Sequence, residues 1–232
     1  PRPVQAGETF SPFGRPDYRG GEIEAVERVL RSGWVGRGAE TSAFEDELAV
    51  ATGARQVLAV NSCTSALFLS LLMIGVGPSD EVVCPSLTWL ADANIILQLG
   101  ARPVFCDVDP ETLGVTPASV REKLTKRTKA VIVVHFGGLA CDIRAIRDVL
   151  PDAVQIVEDA AHAFGAHYAD GRPVGSSANI TCFSFYANKN LSTGDGGAIA
   201  LSDARLADRI GWLSRNGLRK DTFDRYHSPP ER

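Results

Sequence analysis

The sequence is bounded first by what it does not contain. No apolar stretch reaches the about 18 residues a membrane-crossing helix needs, and no basic segment followed by an apolar run opens the chain, so neither a membrane span nor a signal peptide is expected. GxGxxG and GxxxxGK[ST] are both missing, which leaves dinucleotide and P-loop readings without support. Long runs of one charge are lacking: 24 basic residues stand against 28 acidic ones, a net charge of -4. That balance argues against a nucleic-acid or membrane-surface stripe and leaves small molecules or other protein subunits as the expected partners. Paired cysteines are also missing. Cys63, Cys84, Cys106, Cys141 and Cys182 stand singly, most of them in or beside apolar runs. The expectation is therefore reduced core thiols in a cytoplasm, with neither a disulfide framework nor a metal site.

What is present suits a globular chain. Of the 232 residues, 44% are hydrophobic, enough for one sizeable core. Residues 1–19 hold four prolines and little periodicity, and read as an extended arm. Ile23, Val26, Val29 and Leu30 then share a helical face, and Gly33 is placed to stop that helix. Ser42 with Glu45 reads as a capping box for a second helix that ends at Gly53.

From Gln56 the pattern changes to short apolar runs separated by helical stretches. Gln56–Val60, Glu81–Cys84, Pro103–Asp107, Ala130–Val134, Gln155–Asp159, Thr181–Phe185 and Ala198–Leu201 read as strands. Thr64–Ile74, Thr88–Leu99, the Thr116-Pro117 start and Asp142–Leu150 read as helices. Such alternation predicts an α/β fold with a seven-stranded, mostly parallel sheet covered by helices on both faces. In that architecture a ligand lies beyond the carboxyl ends of the strands. The segments placed there are Asn61–Thr64, Pro85–Trp89, His135–Gly138, Asp159–His162 and Tyr186–Gly197.

Lys189 follows a strand and precedes the glycine-rich Gly194-Asp195-Gly196-Gly197. Alone it reads as an exposed loop lysine; its amine could instead form a Schiff base with an aldehyde cofactor that is gripped elsewhere. One grip is an acid. The strand ending Glu158-Asp159 delivers two carboxylates to opposite faces, so only one can meet the site. A carboxylate about 4 Å from a protonated ring nitrogen is worth about 4 kcal/mol at an effective dielectric of about 20. Asp159 equally suits a helix N-cap. A second grip is for phosphate: Asn61-Ser62-Cys63-Thr64-Ser65 joins a strand to a helix, so hydroxyls and backbone N–H groups would face an anion, unless Ser62 or Thr64 only caps its helix. Ser184 could add another hydroxyl. Trp89 could stack on a flat ring or lie in the core. His162 could touch the ring or the acid, or be an ordinary satisfied histidine; His135 is given no catalytic role.

The segments Asn61–Leu67, Pro85–Trp89, Val134–Gly138, Glu158–Ala163, Ser184–Lys189 and Gly194–Gly197, in this order, resemble the DegT/DnrJ/EryC1/StrS family. The match runs from about Phe13 to Tyr226, with Gly33-Trp34-Val35 and Asn216-Gly217 adding to it. The resemblance implies a fold-type-I aminotransferase that uses pyridoxal 5'-phosphate (PLP) to move an amino group from glutamate or glutamine to a keto group of a nucleotide-linked sugar. It implies that Lys189 is the catalytic Schiff-base lysine, Asp159 the partner of the pyridine nitrogen, and Trp89 the stacking ring. His162 would lie near the ring oxygen, with Ser184, Cys63 and Thr64 on the phosphate. It also implies a homodimer whose sites are completed by the partner.

Two residues depart from the family pattern: Cys63 stands where glycine is usual, and Asp195 replaces a glutamate. Relatives continue into a smaller C-terminal domain, so residues 20–232 are expected to form the PLP-binding large domain, with the small domain missing from this chain. A sugar dehydratase of the same family would carry histidine in place of Lys189. A non-catalytic or regulatory PLP-binding relative is the reading from another class.

Overall fold

The structure, a computed structural model, describes residues 16–218; most of the expected arm, residues 1–15, lies outside the described residues. Seven strands build one sheet: β1 (Gln56–Val60), β2 (Glu81–Pro85), β3 (Arg102–Cys106), β4 (Thr128–Val134), β5 (Gln155–Asp159), β6 (Ile180–Ser184) and β7 (Gly197–Leu201). Their order is β1-β7-β6-β5-β4-β2-β3. β7 runs antiparallel to β1 and β6, and the remaining pairs are parallel. The mostly parallel sheet read from the alternating pattern is present. β1 and β5 have the expected ends, and the other strands shift by a residue or two.

Among the described residues seven α-helices accompany it: α1 (Glu22–Ser32), α2 (Ala39–Thr52), α3 (Cys63–Met73), α4 (Leu90–Gln98), α5 (Pro117–Lys123), α6 (Ile143–Asp148) and α7 (Ala204–Leu213). The last is additional to the expected helices. Asp203 caps it by accepting from the N–H groups of Arg205 and Leu206.

The period-2 alternation of strand side chains assigns the helices to two faces. Val82, Cys84, Ile132 and Val157 meet Leu67 and Leu71 of α3, Ile95 and Ile96 of α4, and Ile210 of α7. Their neighbours Val83, Val131, Val133 and Ile156 point the other way, against Val120 of α5 and Ile146 of α6. Leu48 of α2 covers the rest of that second face with Val57, Phe183, Phe185 and Ala200. Each fully buried Leu, Ile or Phe contributes roughly 1.5–3 kcal/mol relative to exposure, so both faces hold the sheet.

Two helix starts differ from expectation. Ser42 does not cap α2: Gly38 occupies the N-cap, and the Ser42 N–H donates to the Gly38 carbonyl at 3.0 Å, inside the first turn. Glu45 is instead used in a tertiary contact, accepting from Arg37 at 2.6 Å and from the Ala59 N–H of β1 at 2.6 Å. The helix starts three residues before Ser42, which leaves Glu45 free for that tertiary contact. α4 begins at Leu90 rather than Thr88, whose hydroxyl donates to Asp92. The Thr116 start is as expected, with Ser119 completing a reciprocal capping box.

α1 ends at Gly33, whose φ of 74° lies in the left-handed region that favours glycine. Its expected apolar face is not packed on the described residues: Ile23, Val26 and Leu30 are all at least 60% exposed. All five cysteines are free thiols, four of them buried. Among the described residues no helix is long and apolar enough to cross a membrane.

Candidate active site

The parallel strands bring the suspect segments to one edge of the sheet. Asp159 ends β5 on the α3–α4 face, shared with Val157, while Glu158 points to the other face with Ile156. The two acids are therefore neighbours in sequence with different surroundings.

The Asp159 carboxylate is 5% exposed and accepts from the Ala161 N–H at 2.9 Å. No α-helix follows it, so this is a turn and not the helix cap that the sequence also allowed. The Cys63 thiol lies 3.9 Å from the same carboxylate oxygen. Burial raises the Asp159 pKa above the ordinary carboxylate value, with the Ala161 N–H and the Lys189 charge working against it. His162 is exposed, receives the Gly137 N–H at Nδ1 at 3.4 Å, and meets Phe136 edge-on at 6.2 Å. Partial desolvation and then the Lys189 ammonium hold its pKa below the ordinary histidine value.

Lys189 occupies a closed loop beyond β6. Its N–H donates to the Tyr186 carbonyl at 2.9 Å, and the base of the loop is tied by Phe185 N–H to the Gly196 carbonyl at 2.9 Å. The far side of that loop re-enters the sheet at Gly197, where a Cβ would stand 2.5 Å from the Cys63 nitrogen and 2.5 Å from the Ser62 carbonyl carbon. Only glycine lets the start of β7 lie against the N-terminus of α3. Gly197 also pairs with Ser184, so Ser184, Ser62 and Cys63 are gathered around one contact.

Ser62 caps α3 by accepting from the Ser65 N–H at 3.2 Å, so the capping alternative holds for Ser62. Thr64 is exposed in the first turn. The outward N–H groups of that turn and the positive end of the helix dipole form the kind of place where an anion is held. Ser184 is buried, and its hydroxyl accepts from the Tyr186 N–H at 3.4 Å. Burial, followed by the Asp159 charge, pushes the Cys63 thiol well up, so it is neutral. Trp89 precedes α4 and is 75% exposed, which rules out the core alternative.

Asp159 and Cys63 thus lie side by side with His162 and Lys189 within electrostatic reach, Ser184 and Thr64 flank the α3 start, and Trp89 precedes α4. Beside this group an open cleft of about 960 Å³ reaches Asn61, Ser65 and Asp195 but neither Asp159 nor Lys189. Sequence reasoning missed Asp92, fully buried in the first turn of α4 and in contact with Asp159. Its signal was an acid inside the apolar run Leu90–Leu97, four residues after Thr88.

Glu158 shows what the opposite face does with an acid. It accepts from His135 Nε2 at 2.8 Å, Tyr168 Oη at 2.6 Å, Asn179 Nδ2 at 2.9 Å and the Ser177 hydroxyl. The Cys141 N–H donates to His135 Nδ1 at 3.1 Å, so the His135 proton sits on Nε2. Burial alone would raise the Glu158 pKa, but the donors, with His135 foremost, outweigh it and hold the carboxyl below its usual range.

The sheet order and the single antiparallel strand give the α/β fold of the fold-type-I, PLP-dependent aminotransferases that this chain resembles. A model of the DegT/DnrJ/EryC1/StrS aminotransferase family matches residues 16–229, and the chain belongs to that family. It is 45% identical over 226 residues to the spore coat polysaccharide biosynthesis protein SpsC of Bacillus subtilis (strain 168), covering 97% of this chain and 58% of SpsC. Its fold matches the PMP-form of Spr1654 from Streptococcus pneumoniae with a TM-score of 0.85 and 33% identity, over 91% of this chain and 59% of that one. DesI, solved in the presence of its TDP-sugar product, matches with a TM-score of 0.79 and 36% identity, over 85% of this chain and 50% of DesI. The chain therefore spans little more than half the length of the relatives it matches.

Proposed function

We propose that the protein is a PLP-dependent aminotransferase that moves an amino group from glutamate or glutamine to a keto group of a nucleotide-linked sugar. The observation that carries the reading is that the loop of Lys189, within electrostatic reach of the buried Asp159 carboxylate, ends at Gly197 against the N-terminus of α3. The residues present fit the cofactor. A buried acid at a strand end suits a pyridinium, the α3 start suits a phosphate, and the exposed Trp89 is available to stack on a ring.

In this reading Asp159 keeps the ring nitrogen protonated, and Ser184, Cys63 and Thr64 hold the phosphate. His162 lies beside the ring, its lowered pKa keeping the imidazole neutral. Lys189 Nζ would hold the cofactor covalently, and the same amine is the base available to carry the proton that amino transfer must move. Bound PLP would supply the electron sink for that proton's removal.

The structure of DesI in the presence of its TDP-sugar product supports the substrate class, and the PLP- and PMP-forms of Spr1654 support the cofactor. Residues 20–232 form the cofactor-binding large domain, of a cytoplasmic protein. The exposed apolar face of α1 supports assembly as a homodimer, the partner completing the site. Lys189, in place of the histidine of the dehydratase branch, favours amino transfer.

The test is reduction of the PLP-loaded full-length protein with borohydride, followed by peptide mass spectrometry. Labelling of Lys189 is expected, and glutamate added before reduction should bleach the yellow colour. A protein that takes up no PLP, or a label on another lysine, would sink the reading. Uptake without bleaching would favour a regulatory PLP-binding protein.

A further inference from the structure

Asp92 is a buried acid for which the proposed mechanism has no use. It lies fully buried in the first turn of α4. The Thr88 hydroxyl donates to Oδ2, whereas Oδ1 has no hydrogen-bond partner among the described residues. An orphaned carboxylate oxygen of this kind is costly and calls for an explanation.

The group that meets Asp92 is Asp159, close enough for a carboxyl–carboxyl hydrogen bond. The other titratable groups facing it are the thiols of Cys63 from α3, Cys84 from β2 and Cys182 from β6. Burial raises all three; Cys84 is pushed up to about 12, so they are neutral and offer Asp92 no compensating charge. Among the described residues, no cation is near enough to Asp92 to favour its ionised form.

Two touching carboxylates withdrawn from water cannot both be ionised, because desolvation and mutual repulsion add. One proton converts the repulsion into a charge-assisted hydrogen bond. The donors decide which acid holds it. Burial raises the Asp159 pKa as well, but Asp159 accepts the Ala161 N–H and lies within reach of the Lys189 charge, and both favour its anion. Asp92 has one hydroxyl donor. Burial, then the Asp159 charge, raises the Asp92 pKa well above the ordinary carboxylate range. A proton on Oδ1 also satisfies the orphaned oxygen and leaves Oδ2 as the acceptor that Thr88 needs.

We propose that Asp92 is a permanently protonated acid that donates from Oδ1 to Asp159, and so positions that carboxylate, in its ionised form, toward the cofactor's ring nitrogen. Asp92 is a positioning residue, acting through Asp159. The positioning role rests on the PLP reading; the shared proton does not. Asp92→Asn preserves the pattern, with Nδ2 donating to Asp159 and the amide oxygen accepting from Thr88. Asp92→Ala removes the donor.

The test uses the full-length chain with isotope-labelled aspartate, examined without cofactor by carbon NMR or difference infrared. One buried aspartate is expected to stay protonated at neutral pH, and its signal should vanish in Asp92→Asn. PLP affinity should then lie within about twofold of the parent in Asp92→Asn and fall about tenfold in Asp92→Ala, the loss of one hydrogen bond to a charged group. The absence of a protonated aspartate, its survival in Asp92→Asn, or equal weakening in both variants would overturn the proposal. A parent that shows the Asp92-dependent signal but takes up no PLP supports the shared proton and overturns the functional reading together with the positioning role.

Discussion

Glu158 and Asp159 are adjacent on one strand, both buried, and treated in opposite ways. The face that receives Glu158 surrounds it with His135, Tyr168, Ser177 and Asn179, and satisfies both oxygens. The face that receives Asp159 gives it one backbone N–H, a distant thiol and a second acid. A buried charge with all its donors in place ties the end of β5 to the segment after β4 and to the 168–179 segment. A buried charge with donors withheld keeps capacity for something that is not protein. The contrast separates a structural acid from one poised for a ligand, although the sequence writes them side by side.

Four substitutions or titrations can break or sharpen this contrast. Removing the Glu158 carboxyl should have the largest effect: Glu158→Ala leaves its donors buried without an acceptor and should cost about 3–5 kcal/mol of stability, read by denaturant unfolding of the full-length protein. Asp159→Ala should cost less stability, about 1–3 kcal/mol, because it strands only the Ala161 N–H and the Asp92 proton. Its PLP affinity should fall about 10- to 100-fold, as expected for losing a hydrogen bond between charged groups. A large stability loss in Asp159→Ala with cofactor affinity intact would reverse the assignment of the two acids.

Acidification tests the same contrast. Glu158 is held below its ordinary value of 4.5 in the folded protein. The stability it contributes is present above that unfolded value and is lost as pH falls through the lower folded one. Glu158→Gln should flatten that acid limb in thermal melts. The smallest effect belongs to the α3 cap: Ser62→Ala should cost about 1 kcal/mol of stability, measured by denaturant unfolding.

Much of the fold was legible because its signals are local. β1 and β5 end where the apolar runs end, Gly33 stops α1, and Thr116-Pro117 opens α5. Where a distant partner intervened, the local reading failed. Glu45, spaced for a cap with Ser42, is held by Arg37 and the Ala59 N–H of β1. Asp92 went unread, because nothing within α4 reveals that a strand from residues 155–159 places Asp159 against it.

The sequence by itself determined the alternation of strands and helices, the edge at which a site would form, and through its ordered motifs the family. Those depend on backbone preference and period, which each segment carries within itself. Tertiary structure alone decided that Glu158 turns to a satisfied network and Asp159 to the site, that Gly197 must lie against Cys63, and that two acids share one enclosure. Each is set by which atoms from distant segments come within a few ångströms, and by how much water they exclude.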